Sequence, residues 1–306
     1  AASDVYKRQM QNRLKENTLL TKQTIIEKKF LPYFKDKKLC DITPKDVIYW
    51  QNEMMKQTSR RDKEFSPTYL KTVHNQLSAI FNYAVRYYGL KDNPARIAGC
   101  MGKETNGEMQ FWTKEEYMKF SKAMMKKDGV FQAFEMLYWC GIRLGEMLAL
   151  TPSDFDFEKK TVRINKSYQR LHGKDIITDP KTAKSNRVVQ MPDFLADEMQ
   201  DYISRFYTIE PDERIFILTK SFLHHEMDRG CKETGVKRIR IHDLRHSHVS
   251  LLIEMGFTAV DIANRVGHES VKITYRYAHM FPSKDEAIAK KLTDIRGGAF
   301  DEQKES

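Results

Sequence analysis

The apolar period changes twice along this chain, and that change limits the fold more than any single residue does. From Thr68 to Tyr88 the apolar side chains Leu70, Val73, Leu77, Ile80, Phe81 and Ala84 recur at helical spacing. Lys71, His74, Asn75 and Asn82 then read as the polar surface of that helix. Residues 1–97 read as three or four helices, with starts at Thr43-Pro44 and Ser66-Pro67, where a hydroxyl caps and proline suits the first turn. Asn93-Pro94 and the stretch Gly99 to Gly107 break the pattern before Thr113-Lys114-Glu115-Glu116 restarts a helix with a capping box. Helices continue to about Leu150. The stretch Thr161 to Met191 is rich in strand formers, with a hairpin signal at His172-Gly173-Lys174. Helices then return over Arg240 to Met255, over Thr258 to Val266 and after Ser270, with Gly256 and Gly267 as stops. A helical domain over 1–103, a linker at about 99–109 and a mixed domain over 110–306 fit a chain of 306 residues.

Charge follows the same division. The net charge is +10, with twenty Lys and Arg against ten Asp and Glu up to Lys103, and thirty-two of each beyond it. The excess in the first third points to a polyanionic partner. An apolar fraction of 41% fills packed cores, and no run approaches the ~18 apolar residues of a membrane span. The first thirty residues lack the apolar segment of a signal peptide, so a cytoplasmic protein with no membrane partner is expected. Cys40, Cys100, Cys140 and Cys231 contain no C-x-x-C pair, which argues against a disulfide framework or a cysteine zinc site. They are expected to be small buried residues. The chain opens on Ala1 rather than Met, so a preceding segment is also an expectation.

Four constellations carry chemistry. In Gly141-Ile142-Arg143-Leu144-Gly145-Glu146 an arginine is bracketed by apolar residues, with Glu146 placed for a local salt bridge. Pro180-Lys181-Thr182-Ala183-Lys184-Ser185-Asn186-Arg187 is a basic turn between strand-like segments, either a phosphate-reaching turn or a solvated hairpin tip. His242-Asp243-Leu244-Arg245-His246-Ser247-His248 puts His242 and Arg245 on one face near a helix start, where an anion is favoured. His242 and His246 have zinc-ligand spacing, but Arg245 repels a metal and the H-E-x-x-H glutamate is missing. Finally Gly267-His268-Glu269-Ser270 precedes Tyr277, nine positions beyond His268, in Thr274-Tyr275-Arg276-Tyr277-Ala278-His279.

In this order and context the two arginines, the lysine, the two histidines and the tyrosine resemble the tyrosine recombinase family, in particular integrases of phages and conjugative transposons. Gly141 to Pro152 matches the box of the first arginine, Pro180 to Val188 the lysine hairpin, and His242 to Tyr277 the second box. Tyr275 competes with Tyr277, and the family pattern of a tyrosine just before a short residue and histidine favours Tyr277. The resemblance implies an α+β, mostly helical fold, with a helical core-site DNA-binding domain followed by a catalytic domain carrying a small antiparallel sheet. The two domains would grip opposite faces of a duplex.

It also implies chemistry. Tyr277 attacks the scissile phosphate to give a 3′-phosphotyrosyl enzyme, which stores the bond for rejoining. Arg143 and Arg245 clamp the nonbridging oxygens, Lys181 protonates the departing 5′ oxygen, His242 gives acid/base help near the tyrosine hydroxyl, and His268 hydrogen-bonds the phosphate. No cofactor and no metal are implied. The implied partners are double-stranded attachment or crossover sites, a homotetramer on synapsed DNA, and accessory directionality or bending proteins. Ser283 to Ile295 reads as an amphipathic tail helix that packs on its own domain or docks on a neighbouring protomer. Members of the family often carry an arm-binding domain upstream of the residues present here. Two other readings share the basic charge: a helix-turn-helix regulator using Thr258 to Val266 and the helix after Gly267, and a type IB topoisomerase.

Overall fold

A computed structural model describes residues 16–58, 62–103, 109–180 and 183–280, together with Thr293. The chain divides into two compact units, 1–108 and 109–306.

The first unit is helical. Helix α1 (Glu16–Ile25) runs through one π turn (Ile26–Phe30) into Leu31–Phe34. Pro32 lacks an N–H and crowds the carbonyl one turn back, so the wider turn just before it relieves the clash. The Lys29 carbonyl accepts a hydrogen bond from the Trp50 indole at 2.8 Å. Helix α2 (Pro44–Lys56) starts at a Thr43–Asp46 capping box, and α3 (Pro67–Tyr87) is capped by Ser66. Both starts agree with the proline and hydroxyl signals. A short α4 (Pro94–Ala98) is capped by Asn93, whose amide also donates to the Ser78 carbonyl on α3 at 3.0 Å. Trp50, Val73 and Phe81 are central to this unit's core. His74 departs from expectation. It is 4% exposed and meets Gln51 Nε2 through Nδ1 at 3.2 Å, because one polar contact between α2 and α3 satisfies a ring that the apolar face buries.

The second unit packs helices around two small antiparallel sheets. Helices α5 (Lys114–Met124) and α6 (Val130–Trp139) lead to a one-turn α7 (Leu144–Met147). The Thr113–Glu116 capping box at the start of α5 is present. Strands β1 (Phe155–Asp156), β2 (Thr161–Ile164) and β5 (Arg187–Gln190) form one sheet in the order β1-β2-β5. Strands β3 (Ser167–Leu171) and β4 (Lys174–Thr178) form the other, closed by His172 and Gly173, both at positive φ. β4 pairs with β3 and β5 with β2, with Val162 opposite Val189, so the strands on either side of the basic stretch belong to different sheets and do not form a hairpin with each other. Buried Val162, Ile164 and Val189 turn that sheet towards the core, which explains why β5 pairs with β2.

Helices α8 (Asp193–Ser204) and α9 (Lys220–Thr234) pack on α6 and α5. Then come α10 (Asp243–Glu254), α11 (Ala259–Val266) and α12 (Val271–Thr274), followed by a 3-10 segment, Tyr275–Met280. Helix α10 begins three residues later than its apolar pattern suggests, because Asp243 accepts from the Arg240 backbone N–H and guanidinium. Cys140 and Cys231 are buried but Cys40 and Cys100 are exposed, so the expectation holds for only two of the four thiols. Among the described residues no helix is long and apolar enough to cross a membrane.

Candidate active site

The site lies within the second unit, where four loops and helix ends meet. After α6 the chain turns at Gly141, whose φ of +61° and whose contact with the His248 ring, 2.5 Å from any added Cβ, both exclude a side chain. That turn delivers Arg143 to the start of α7. Its backbone N–H donates to Glu146 Oε2 at 2.9 Å, Nη1 donates to Oε1 at 2.6 Å, and Nη2 donates to the Gly267 carbonyl at 3.3 Å. The local salt bridge expected from spacing is present, and it also orients the guanidinium. Glu146 is buried and accepts a second guanidinium, Arg187 Nη2, at 3.0 Å. Burial pushes its carboxyl up, but Arg187, followed by Arg143, more than offsets this and holds it below the usual range.

Arg245, on α10, is 3% exposed. Its Nη1 donates to the Gly141 carbonyl at 2.9 Å, while Nη2 is buried with no hydrogen-bond partner. Burial, then the charges of Arg143 and Arg187, push its pKa down to about 9. Two guanidinium groups thus share the Glu146 carboxylate, and a third, Arg245, is buried close by with one donor unpaired.

Helix α11 ends at Gly267 in the left-handed conformation, which places His268 beside the arginines. His268 is 7% exposed, and its Nδ1 meets the Thr274 hydroxyl at 2.9 Å. Burial and the Arg245 and Arg143 charges push it down to about 3, so the ring is neutral at physiological pH. His242, the residue before α10, is exposed; its ring lies edge-on to His246, with centroids 5.2 Å apart.

Tyr277 is 2% exposed, packed against Val249, Ile253, Ile262 and Val266. Its hydroxyl is hydrogen-bonded to Nδ1 of His246. Burial raises the phenol above its usual value, with Arg245 opposing. Tyr275 is 58% exposed, so of the two candidate tyrosines only Tyr277 belongs to the cluster.

Arg143, Arg245, His268 and Tyr277 are thus brought together, with His242 at the rim. Lys181 lies outside the described residues, as does the tail read over 283–295 apart from Thr293. The segment's exit is anchored: Arg187 Nε donates to the Arg265 carbonyl at 3.0 Å, and the Lys184 carbonyl lies against Gly267. The sequence places Arg187 in a basic turn, either phosphate-reaching or a solvated hairpin tip, and His246 only as the partner of His242 in a metal reading. The signal for His246 was its place directly after Arg245; nothing in the sequence marks Arg187 as buried. Among the described residues no group of three or more His, Cys, Asp and Glu side chains is arranged to hold a metal ion.

A cluster of guanidinium groups with a buried tyrosine close to Arg245 fits the class of phosphoryl-transfer proteins that work through a side-chain nucleophile. The chain belongs to the phage integrase family, whose model matches residues 110–284, and it is a site-specific recombinase of the tyrosine type. A second model, described as the phage integrase N-terminal SAM-like domain, matches residues 2–55. The ICEBs1 integrase of Bacillus subtilis (strain 168) is 30% identical over 296 residues, spanning 92% of this chain and 78% of the relative. A putative prophage phiRv2 integrase of Mycobacterium tuberculosis is 26% identical over 294 residues, spanning 93% and 76%. In fold, the Tn1549 transposon integrase solved with transposon right end DNA has a TM-score of 0.74 at 16% identity, covering 96% of this chain and 99% of that one. A lambda integrase dimer bound to a COC′ core site has a TM-score of 0.64 at 18% identity, covering 90% and 75%. The α+β, mostly helical fold expected from sequence is the one observed.

Proposed function

We propose that this recombinase cleaves and rejoins DNA through a 3′-phosphotyrosyl bond at Tyr277, integrating or excising a mobile element. The observation that carries the reading is the buried phenol's nearness to the buried guanidinium of Arg245, whose Nη2 has no hydrogen-bond partner. Arg143 and Arg245 clamp the nonbridging oxygens. His268, neutral and steadied by Thr274, adds a hydrogen bond to the phosphate. Lys181 protonates the leaving 5′ oxygen, and His242 assists proton transfer at the rim. In this reading positive side chains supply the charge neutralisation that a metal ion would otherwise provide.

The partner is a double-stranded attachment or crossover site, on which four copies assemble; the Tn1549 and lambda integrases solved on DNA, one of them a lambda tetramer on a Holliday junction, support this. Accessory directionality or bending proteins join the assembly. The basic 1–103 segment provides core-site contacts, largely to phosphates.

A nicked attachment-site duplex tests the chemistry by trapping the covalent adduct. Tyr277→Phe is expected to abolish the adduct and keep duplex binding, while Tyr275→Phe keeps both. An adduct formed by Tyr277→Phe overturns the proposal. The regulator reading loses its second helix, since Val271–Thr274 is a single α turn and cannot fill a major groove. Strand exchange between two defined sites separates recombination from topoisomerase action.

A further inference from the structure

We propose that His246 is a catalytic residue of this reaction, the base that takes the phenolic proton of Tyr277 on its Nδ1. The inference rests on Tyr277 as nucleophile and replaces His242 in the acid/base position next to the phenol.

Three observations carry it. His246 Nδ1 and the Tyr277 hydroxyl are hydrogen-bonded, with the two rings 5.7 Å apart, whereas among the described residues His242 makes no hydrogen bond to Tyr277. His246 follows Arg245 directly on α10, so base and phosphate clamp are carried by one rigid turn. Its other nitrogen, Nε2, faces Asp243 Oδ1 at 3.8 Å, too far for a hydrogen bond but close enough to favour the tautomer with hydrogen on Nε2. Asp243 is itself buried and fixed by Arg240. That tautomer leaves the Nδ1 lone pair for the phenol, a nucleophile, base and orienting carboxylate in line. Burial, then His242, push His246 down to about 4, so the resting ring is neutral.

The step balances. The phenolic O–H breaks and its proton goes to His246 Nδ1 as the tyrosyl O–P bond forms. The P–O5′ bond breaks, and the 5′ oxygen takes a proton from Lys181. On rejoining, the attacking 5′ hydroxyl gives its proton back to Lys181 as the O5′–P bond forms, the P–O bond to tyrosine breaks, and His246 returns its proton to the phenol oxygen.

The test measures adduct formation in single turnover on a nicked attachment-site duplex, made with oxygen or with sulfur as the bridging 5′ atom. A thiolate leaves without protonation, so sulfur restores variants lacking the acid but not those lacking the base. His246→Asn and His246→Ala are expected to react about 10²-fold or more slowly on both substrates while binding duplex normally. Lys181→Ala is expected to recover on sulfur. Wild-type rates in the His246 variants, or their recovery on sulfur, overturn the proposal. Nitrogen-15 NMR of labelled histidines checks the contact without altering His246: Tyr277→Phe is expected to shift the His246 Nδ1 resonance, and an unmoved resonance overturns the proposal. An adduct in Tyr277→Phe instead removes the nucleophile reading itself. Loss of the adduct in Tyr277→Phe alongside normal rates in both His246 variants removes only this inference.

Discussion

At the scale of single residues the site is an excess of positive charge held in a dry place. Arg245 is almost fully buried, and its Nη2 has no hydrogen-bond partner among the described residues. Lysine there would offer a point charge in place of a planar fork, so Arg245→Lys is expected to lower the adduct rate by ~10²- to 10³-fold with duplex affinity largely kept. Single-turnover rates on a nicked duplex check this, and an unchanged rate would remove Arg245 from the clamp. The same burial makes the fold acid-labile. His246 and His268 are held down to about 4 and 3, below the ~6.5 of an unfolded histidine. The unfolded chain therefore binds more protons below about pH 6.5, and stability falls as pH drops from there through the folded values. Denaturant melts from pH 7 to pH 4 are expected to show a flatter decline in His268→Asn than in the parent chain. An identical slope would mean that His268 is not buried in its neutral form.

At the scale of elements, the turns rather than the helices determine whether the cluster assembles. Gly267 ends α11 with φ +69°, and a Cβ there would sit 2.9 Å from the Lys184 carbonyl. Gly267→Ala is expected to destabilise by about 1–2 kcal/mol from backbone strain alone, and to depress the adduct rate further by displacing His268 and the Lys184 carbonyl. Thermal melts and adduct rates on one preparation separate the two effects. Arg187 links β5 to the same place through Glu146 and the Arg265 carbonyl. Removing one partner of a buried pair strands the other, so Arg187→Ala is expected to cost ~3–5 kcal/mol in denaturant unfolding, against almost nothing for the exposed Arg205. Helix starts at Pro44, Pro67 and Lys114 were legible because capping is local chemistry. The burial of His74 and Arg187 was not, since it depends on polar partners distant in sequence, Gln51 for the one and Glu146 with the Arg265 carbonyl for the other.

At the scale of the whole molecule, the positive charge concentrated before Lys103 predicts binding that weakens steeply with salt. Replacing single lysines of that segment with glutamine is expected to flatten the log–log salt dependence by roughly 0.9 for each phosphate left without its cation. Filter or gel binding across a salt series measures it, and unchanged slopes throughout would mean that the segment does not touch the DNA backbone. Truncation after Pro282 is expected to weaken synaptic complexes more than single-site complexes on gels. Equal synapsis would mean that the tail acts within its own protomer.

Residue order alone determined the helical first unit and the change of period, since periodicity and capping are local in the chain, while Arg143, Arg245, His268 and Tyr277 stood out through the resemblance of their boxes to a family. Tertiary structure decided that β5 leaves β4 to pair with β2, that Tyr277 rather than Tyr275 turns inward, and that His246 rather than His242 meets its hydroxyl. The physical reason is burial. Which of two neighbouring side chains leaves water depends on the apolar surface presented by elements far away in sequence, and here Val249, Ile262 and Val266 present it to Tyr277.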